Sequence, residues 1–396
     1  MRTPAQAFPP PSRLPAQESL PDIFTFLDGT TVEDQEDWQQ RRAELHDLFR
    51  YYMYGCAPPS PALDVTVTTE RKILDENCTL REVRIAFTDL PDAAPSIHLA
   101  LFLPTNVDRV PLILGLNRGG NQQVIADPHV SISPAAQELG PKERGARTEF
   151  WCVESLLERG YGFGTFYCGD LDADQDDFSD GIHPYLDDKL TCDTGSEWGT
   201  IRTWAWSVER CMDYLMGADG VDAKHIAVIG HSRRGKTALL AGALDERISA
   251  VIPHQSGTGG CALSRNNDQE TIADITSTFP HWFADCFHGF AGRPERLPFD
   301  QHALLALVAP RPVLGTEGAR DYWANPGRAL DTIQAAAPAW DMLGEAGMVG
   351  DGLIHEGEPI NGTTVGSICQ YRCETAHTLN IRYWNGILDF LDLHFR

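Results

Sequence analysis

The chain has 396 residues, 42% of them hydrophobic and 22% charged, a balance that suits a water-soluble protein with a large core. Lys and Arg number 32 against 56 Asp and Glu, a net charge of −24, so the surface repels nucleic acid and anionic membranes. No apolar run approaches the roughly 20 residues that cross a bilayer.

Residues 1–22 read as a proline-rich leader, flexible or draped on the surface, and 23–396 as a single domain. The leader lacks the apolar core of a signal peptide, which implies a cytoplasmic protein or one whose signal has been removed. Asp34 to about Tyr54 has an apolar face of Trp38, Leu45, Leu48 and Phe49, the pattern of an amphipathic helix. Strand-like runs follow at Leu63–Thr69, Leu80–Phe87, Ile97–Leu103 and Leu112–Leu116. The loop Asn117–Asn121 comes next. Its glycines suit either the second oxyanion donor of a serine hydrolase or a plain tight turn.

Tyr161–Tyr167 is a further strand, and the aspartate-rich loop Gly169–Asp177 after it lacks the glycine and terminal glutamate of an EF-hand. It is expected to be solvated. Trp198–Met216 carries Ile201, Trp204, Val208, Cys211, Met212 and Leu215 at helical spacing, a face for the core. Later elements are strands at Ile248–Pro253 and Ala309–Gly315 and helices near Pro326–Leu343 and Asn380–Leu393, with an insertion from Gly257 to about Leu297. Strands alternating with helices predict a largely parallel central sheet with helices on both faces and loop insertions. Ten cysteines without C-x-x-C pairs argue against zinc and permit disulfides without identifying any.

The segment Ile226–Leu240 carries the chemistry. An apolar run ends at Gly230, Ser232 follows, and an Ala/Leu-rich helical pattern starts at once. That is the layout of a nucleophile elbow, with the helix N-terminus near a developing oxyanion. The usual G-x-S-x-G is altered: the second glycine comes one residue late, at Gly235, and Arg234 must be accommodated. A serine needs a base, and the base needs an orienting acid. The elbow at the end of a parallel strand predicts an α/β-hydrolase fold, in which the order is Ser, acid, His. Asp321 lies just past a late strand and His377 just before the last helix, which gives a triad of Ser232, Asp321 and His377. His231, His302 and His355 are the competing bases.

Several segments in order resemble the glucuronoyl esterases of carbohydrate esterase family 15, bacterial-type members especially. They are Leu116–Asn121, Glu197–Trp206, Gly230–Lys236, Ser256–Gly260, Phe279–Phe283, Leu297–His302 and Asp321–Pro326. The G-x-S-R-x-G-K signature is the specific one, and it accounts for the late glycine. The resemblance implies that Ser232 is the nucleophile and that Arg233 gives a backbone N–H and a guanidinium to the oxyanion. It implies that Lys236 binds uronate hydroxyls and that Glu270 and Trp323 hold the sugar. Fungal-type members carry the catalytic Glu in a P-Q-E-S-G segment; here that segment is Pro253–Gly257 and holds Gln255. A neutral amide cannot stabilise an imidazolium, so the acid falls to Asp321.

The implied reaction is hydrolysis of esters of (4-O-methyl-)glucuronic acid, as in lignin–glucuronoxylan linkages, with neither metal nor organic cofactor. An acetyl-xylan or other carbohydrate acyl esterase, and an inactive carbohydrate-binding relative, are the alternatives. The expected partner is the glucuronate ester or glucuronoxylan alone, with no nucleic acid and no membrane, and the protein is expected to be a monomer. The resemblance implies a secreted or periplasmic protein, although this chain shows no signal peptide.

Overall fold

The structure, a computed structural model, describes residues 8–191 and 195–396. The first seven leader residues and Cys192 lie outside that range. Ten strands among the described residues form one sheet: β1 (Leu63–Ile73), β2 (Cys78–Phe87), β3 (Ile97–Pro104), β4 (Val110–Asn117), β5 (Gly162–Tyr167), β6 (Val221–His231), β7 (Ala250–His254), β8 (Val313–Gly318), β9 (Leu353–His355) and β10 (Ile368–Cys373). Their order is β1-β2-β3-β5-β4-β6-β7-β8-β10-β9. The β1/β2, β2/β3 and β3/β5 pairs are antiparallel, and every pair from β5/β4 to β10/β9 is parallel. This is the α/β-hydrolase architecture expected from the alternation of strands and helices together with the serine elbow.

Strand periodicity sorts the core into two layers. Leu112, Leu114, Val228 and Val251 face one way and pack with α1 (Gln35–Phe49), α2 (Thr200–Leu215), α3 (Arg233–Leu244) and α4 (Pro326–Ala336). Ile113, Ala227, Ile229 and Ile252 face the other way, toward Trp151, Leu156 and α5 (Ile381–Phe395). Nearly every inward position of the parallel strands is apolar because helices cover both faces. Helix α2 buries Ile201, Trp204, Val208, Cys211, Met212 and Leu215 as its spacing predicts. Asp34 accepts the N–H groups of Glu36 and Asp37 to cap α1, and Asn380 accepts that of Arg382 to cap α5.

The elements depart from expectation at identifiable places. The run expected as one helix from Pro326 to Leu343 is two, because Pro338 has no N–H to continue the ladder; α4 stops at Ala336 and a short turn covers Pro338–Met342. The strand expected from Ala309 begins at Val313, since Pro310 and Pro312 cannot donate to a sheet. Arg311 between them turns its guanidinium to the carbonyls of Gly242, Asp245 and Ile248, at the end of α3. The aspartate-rich loop is not solvated along its length: Asp170 is 4% and Asp172 1% exposed. Asp170 accepts the Ser133 hydroxyl at 2.6 Å and the His98 N–H at 2.9 Å, and burial pushes its carboxyl up to about 7.

Residues 8–22 run along the surface beside Tyr51 and Tyr52, where Leu14 is buried and Tyr52 donates to the Pro9 carbonyl. Cys56 is disulfide-bonded.

Candidate active site

Strand β6 ends at His231 and α3 begins at Arg233, so Ser232 alone makes the turn. Its backbone sits at φ +62°, ψ −127°, a conformation that costs a non-glycine residue of order 1–3 kcal/mol and that surrounding contacts must hold. The contacts are present: the Ser232 N–H donates to the His254 carbonyl of β7, and its own carbonyl accepts from Gly235 and Lys236. The late glycine has a steric cause. A Cβ at Gly230 would sit 1.9 Å from the Arg234 carbonyl oxygen, and one at Gly235 would sit 2.9 Å from both the Gly230 and His254 carbonyl oxygens. Helix and strand therefore touch at 230 and 235, while position 234 has room for a side chain. Arg234 occupies it and is 6% exposed.

Two further loops converge on this turn. The loop after β8 carries Asp321, 5% exposed, and the loop after β10 carries His377, whose side chain is 43% exposed. His377 Nδ1 lies 2.6 Å from Asp321 Oδ2. A carboxylate only accepts, so Nδ1 carries the proton and Nε2 is left as the basic nitrogen. The His377 ring lies 4.3 Å from that of His231, which places it at the elbow. No hydrogen bond links Ser232 Oγ to His377 among the described residues; in free hydrolases that contact often tightens only with substrate. Of the competing histidines, His302 bonds the buried Pro21 carbonyl and His355 lies on β9, away from the elbow. Burial, with His254 and His377 nearby, holds His231 well below the usual imidazole range, so it stays neutral.

Gln255 occupies the next position after β7 at φ +45°. Its Oε1 accepts the Thr378 N–H at 2.8 Å, and its Nε2 donates to the Ala376 carbonyl and the Tyr383 hydroxyl. It grips the chain on both sides of His377 and leaves the ring to Asp321. His254 adds a third grip, its Nε2 on the Thr378 carbonyl at 3.0 Å and its Nδ1 accepting from Thr316 at 2.7 Å.

On the β7–β8 side of Ser232, Lys236 Nζ donates to the Ser256 carbonyl at 2.6 Å and stands 3.7 Å from Glu270 Oε2. Trp323 Nε1 donates to the other carboxylate oxygen at 3.0 Å, while the residue is 60% exposed. The indole is pinned by its N–H and presents a flat aromatic surface to solvent. Lys236 is buried, which lowers its ammonium against the opposing pull of Glu270.

Arg233 points to a different partner from the oxyanion alone. Its guanidinium donates to Asp174 at 2.6 Å and lies over Trp282 at 4.3 Å and Phe279 at 4.6 Å, two rings stacked at 3.7 Å. Burial would raise the Asp174 carboxyl, but hydrogen bonds from His281 and Trp282 and the charge of Arg233 bring it down to about 2. The first N–H groups of α3, at Arg233 and Arg234, have no intrahelical acceptor and mark an anion-binding end. The Gly119 and Gly120 N–H groups are already spent on Asn117 Oδ1, so the loop after β4 is a tight turn there.

Sequence reasoning missed Asp174, Arg234, the bracing by Gln255 and strand β10. Only the spaced aspartates hinted at the first, and the polar Gln370 and Arg372 hid the last.

A family model described as fungal glucuronyl esterase matches residues 191–344. A carbohydrate esterase from an unknown prokaryotic organism is 36% identical over 95% of this chain and 89% of its own. The chain belongs to the glucuronoyl esterases of carbohydrate esterase family 15. It is a carboxylic-ester hydrolase. The 4-O-methyl-glucuronoyl methylesterase of Phanerochaete carnosa is 29% identical over 84% of this esterase and 75% of its own length. Among solved structures, the glucuronoyl esterase of Solibacter usitatus superposes with a TM-score of 0.86 at 32% identity, covering 97% of this chain and 100% of that one. A promiscuous family 15 esterase from a marine bacterial metagenome gives 0.85 at 35%, over 97% and 98%. No helix of this esterase is long and apolar enough to cross a membrane among the described residues.

Proposed function

We propose that the protein hydrolyses esters of (4-O-methyl-)glucuronic acid, such as those joining lignin to glucuronoxylan, through an acyl-enzyme on Ser232. The observation that carries the reading is the buried Asp321 carboxylate on His377 Nδ1, beside a strained serine turn and next to the Lys236–Glu270–Trp323 group. His377 Nε2 takes the Ser232 proton as Oγ attacks the ester carbonyl, and Asp321 favours the imidazolium that forms. The oxyanion is met by the free N–H end of α3 and the Arg233 charge. His377 then protonates the departing alcohol, and the same nitrogen activates water to release the uronate. Lys236 and Glu270 supply a donor and an acceptor for sugar hydroxyls, and Trp323 supplies a face. The names of the relatives support the uronate side of this assignment. We read residues 23–396 as the catalytic domain of a monomer that acts outside the cytoplasm.

The test is hydrolysis of benzyl glucuronate beside 4-nitrophenyl acetate by wild type and Ser232→Ala. Strong cleavage of the glucuronate, lost on the order of 10⁴-fold or more in the variant, is expected. Acetate cleavage without glucuronate cleavage would assign a deacetylase and withdraw the uronate roles of Lys236 and Glu270.

A further inference from the structure

Across the elbow from Lys236, Glu270 and Trp323 lies a second concavity with a different charge. The sheet order puts it there, because β4 borders β6 on the side opposite β7. The loop after β4 and the one-turn helix Thr148–Trp151 supply its walls. Its volume is about 180 Å³, and Arg118, Arg147, Arg234, Gly120, Phe150 and His377 face it.

None of the three guanidiniums has a carboxylate within ion-pair distance among the described residues. Arg147 lies over the Phe150 ring at 5.6 Å, and the buried Arg234 has the Cys168 thiol as its side-chain partner. Burial and the neighbouring charges of Arg147 and Arg233 hold Arg118 below the usual guanidinium range. Arg233, the next residue along the chain from Ser232, shows the contrast, since it is paired with the Asp174 carboxylate at 2.6 Å. In a chain of net charge −24, three cations left without carboxylates around one cavity are placed for an anion from outside.

The position of His377 says which half of the substrate that is. His377 must hand its proton to the leaving oxygen, so the space bordering it on the side away from the sugar platform faces the alcohol. Phe150 gives that space an aromatic wall. Its volume suits a phenyl ring, since a cavity of roughly 150 Å³ holds benzene in another protein. We propose that this cavity is the alcohol subsite and that it selects a benzyl-type alcohol bearing a carboxylate, which Arg147 and Arg118 hold by charge-assisted hydrogen bonds. The inference rests on the esterase reading given above.

The experiment compares kcat/KM for benzyl glucuronate and 4-carboxybenzyl glucuronate in wild type, Arg147→Gln and Arg118→Gln. Calorimetry of the free alcohol 4-(hydroxymethyl)benzoate against the same three proteins runs beside it, with melting curves to check folding. Wild type is expected to prefer the carboxylated ester about tenfold, through KM. Either variant should bring that ratio down at least threefold, and 0.5 M salt should narrow it. A wild-type ratio of one or less would overturn the proposal. So would an equal loss on both esters in the variants, which would mean that the arginines serve the oxyanion or the uronate. If neither ester is cleaved while 4-(hydroxymethyl)benzoate binds wild type and not Arg147→Gln, the anion site stands and the glucuronate reading falls. Absence of binding in wild type would remove the site itself.

Discussion

Two loops at the carboxyl end of the sheet reach His377, and they hold it by different means. The loop after β8 brings a buried carboxylate to the imidazole nitrogen, at 2.6 Å. The loop after β7 brings an amide to the backbone on either side, at Ala376 and Thr378. In the proposed mechanism, the Asp321 carboxylate stabilises the charge that appears on the ring during turnover. An amide at Gln255 has no charge to give, but it can donate and accept at once, which is what one carbonyl and one N–H require. Charge stabilisation and positioning are thus divided between two residues, and each can be removed without the other.

Removing the charge should have the larger effect on rate. Asp321→Asn is expected to lower kcat by about 10⁴-fold, because the amide leaves the imidazolium unstabilised and can favour the wrong tautomer. Its melting temperature should stay close to wild type, since one polar side chain replaces another of the same shape. Steady-state kinetics and a thermal melt of the same preparation check both halves. If Asp321→Asn kept more activity than Gln255→Ala, the division of labour would be the reverse of the one described.

Gln255→Ala is the complementary variant. It leaves the Thr378 N–H and the Ala376 carbonyl unpaired, at about 1–3 kcal/mol for each group that stays dry. The loss should appear first as a lower melting temperature. Activity should fall by about 10- to 100-fold as His377 loses its fixed position, well short of the loss in Asp321→Asn. The two variants should therefore change order between the two assays.

Much of this site is legible in the sequence, and the reasons are local. Gly230, Ser232 and the helical run after them form a contiguous pattern, so an elbow can be inferred even with its glycine displaced. Asp321 and His377 can be placed because the fold dictates the order of the triad along the chain. What stays hidden depends on contacts between residues far apart in sequence. Gln255 reads as a lost acid, and only its proximity to Ala376, Thr378 and Tyr383 reveals a brace. Asp174 reads as one of several aspartates in a wet loop until Arg233, His281 and Trp282 are found around it. Strand β10, which aims the His377 loop, alternates its apolar residues with Gln370 and Arg372. Gln370 is fully buried against Arg372 and the Pro326 carbonyl.

The third grip on the loop makes the comparison depend on pH. Burial, together with the nearby His377, brings His254 down to about 3, although the Thr378 carbonyl opposes the shift. The unfolded chain takes up a proton near pH 6.5 and the folded chain only near 3. Between those values the unfolded state binds more protons, so this group's contribution to stability is lost as pH falls through the window. The slope it adds is at most about 1.4 kcal/mol per pH unit. Melting temperature measured from pH 7 to pH 4 should fall more steeply in wild type than in His254→Gln. The slope should not vanish in the variant, since His231 is also kept neutral by burial. Parallel curves would remove His254 from the account of the loop.

The smallest effect tests how far the brace extends. Tyr383 lies on α5, and its hydroxyl accepts from Gln255 Nε2 at 3.0 Å while sharing a second hydrogen bond with Thr375. Tyr383→Phe removes that oxygen, but Gln255 Nε2 keeps the Ala376 carbonyl and Oε1 keeps the Thr378 N–H. One amide hydrogen and the Thr375 hydroxyl each lose Tyr383 as their hydrogen-bond partner, at about 1 kcal/mol apiece. The melting temperature should drop slightly and kcat should change by less than about threefold. Combining Tyr383→Phe with Gln255→Ala should then cost less than the sum of the two, because the shared hydrogen bond is already gone and only the one to Thr375 is lost in addition. Full additivity in that double-mutant cycle would mean that α5 acts on the His377 loop without Gln255, and the brace would have to be redrawn through Thr375 alone.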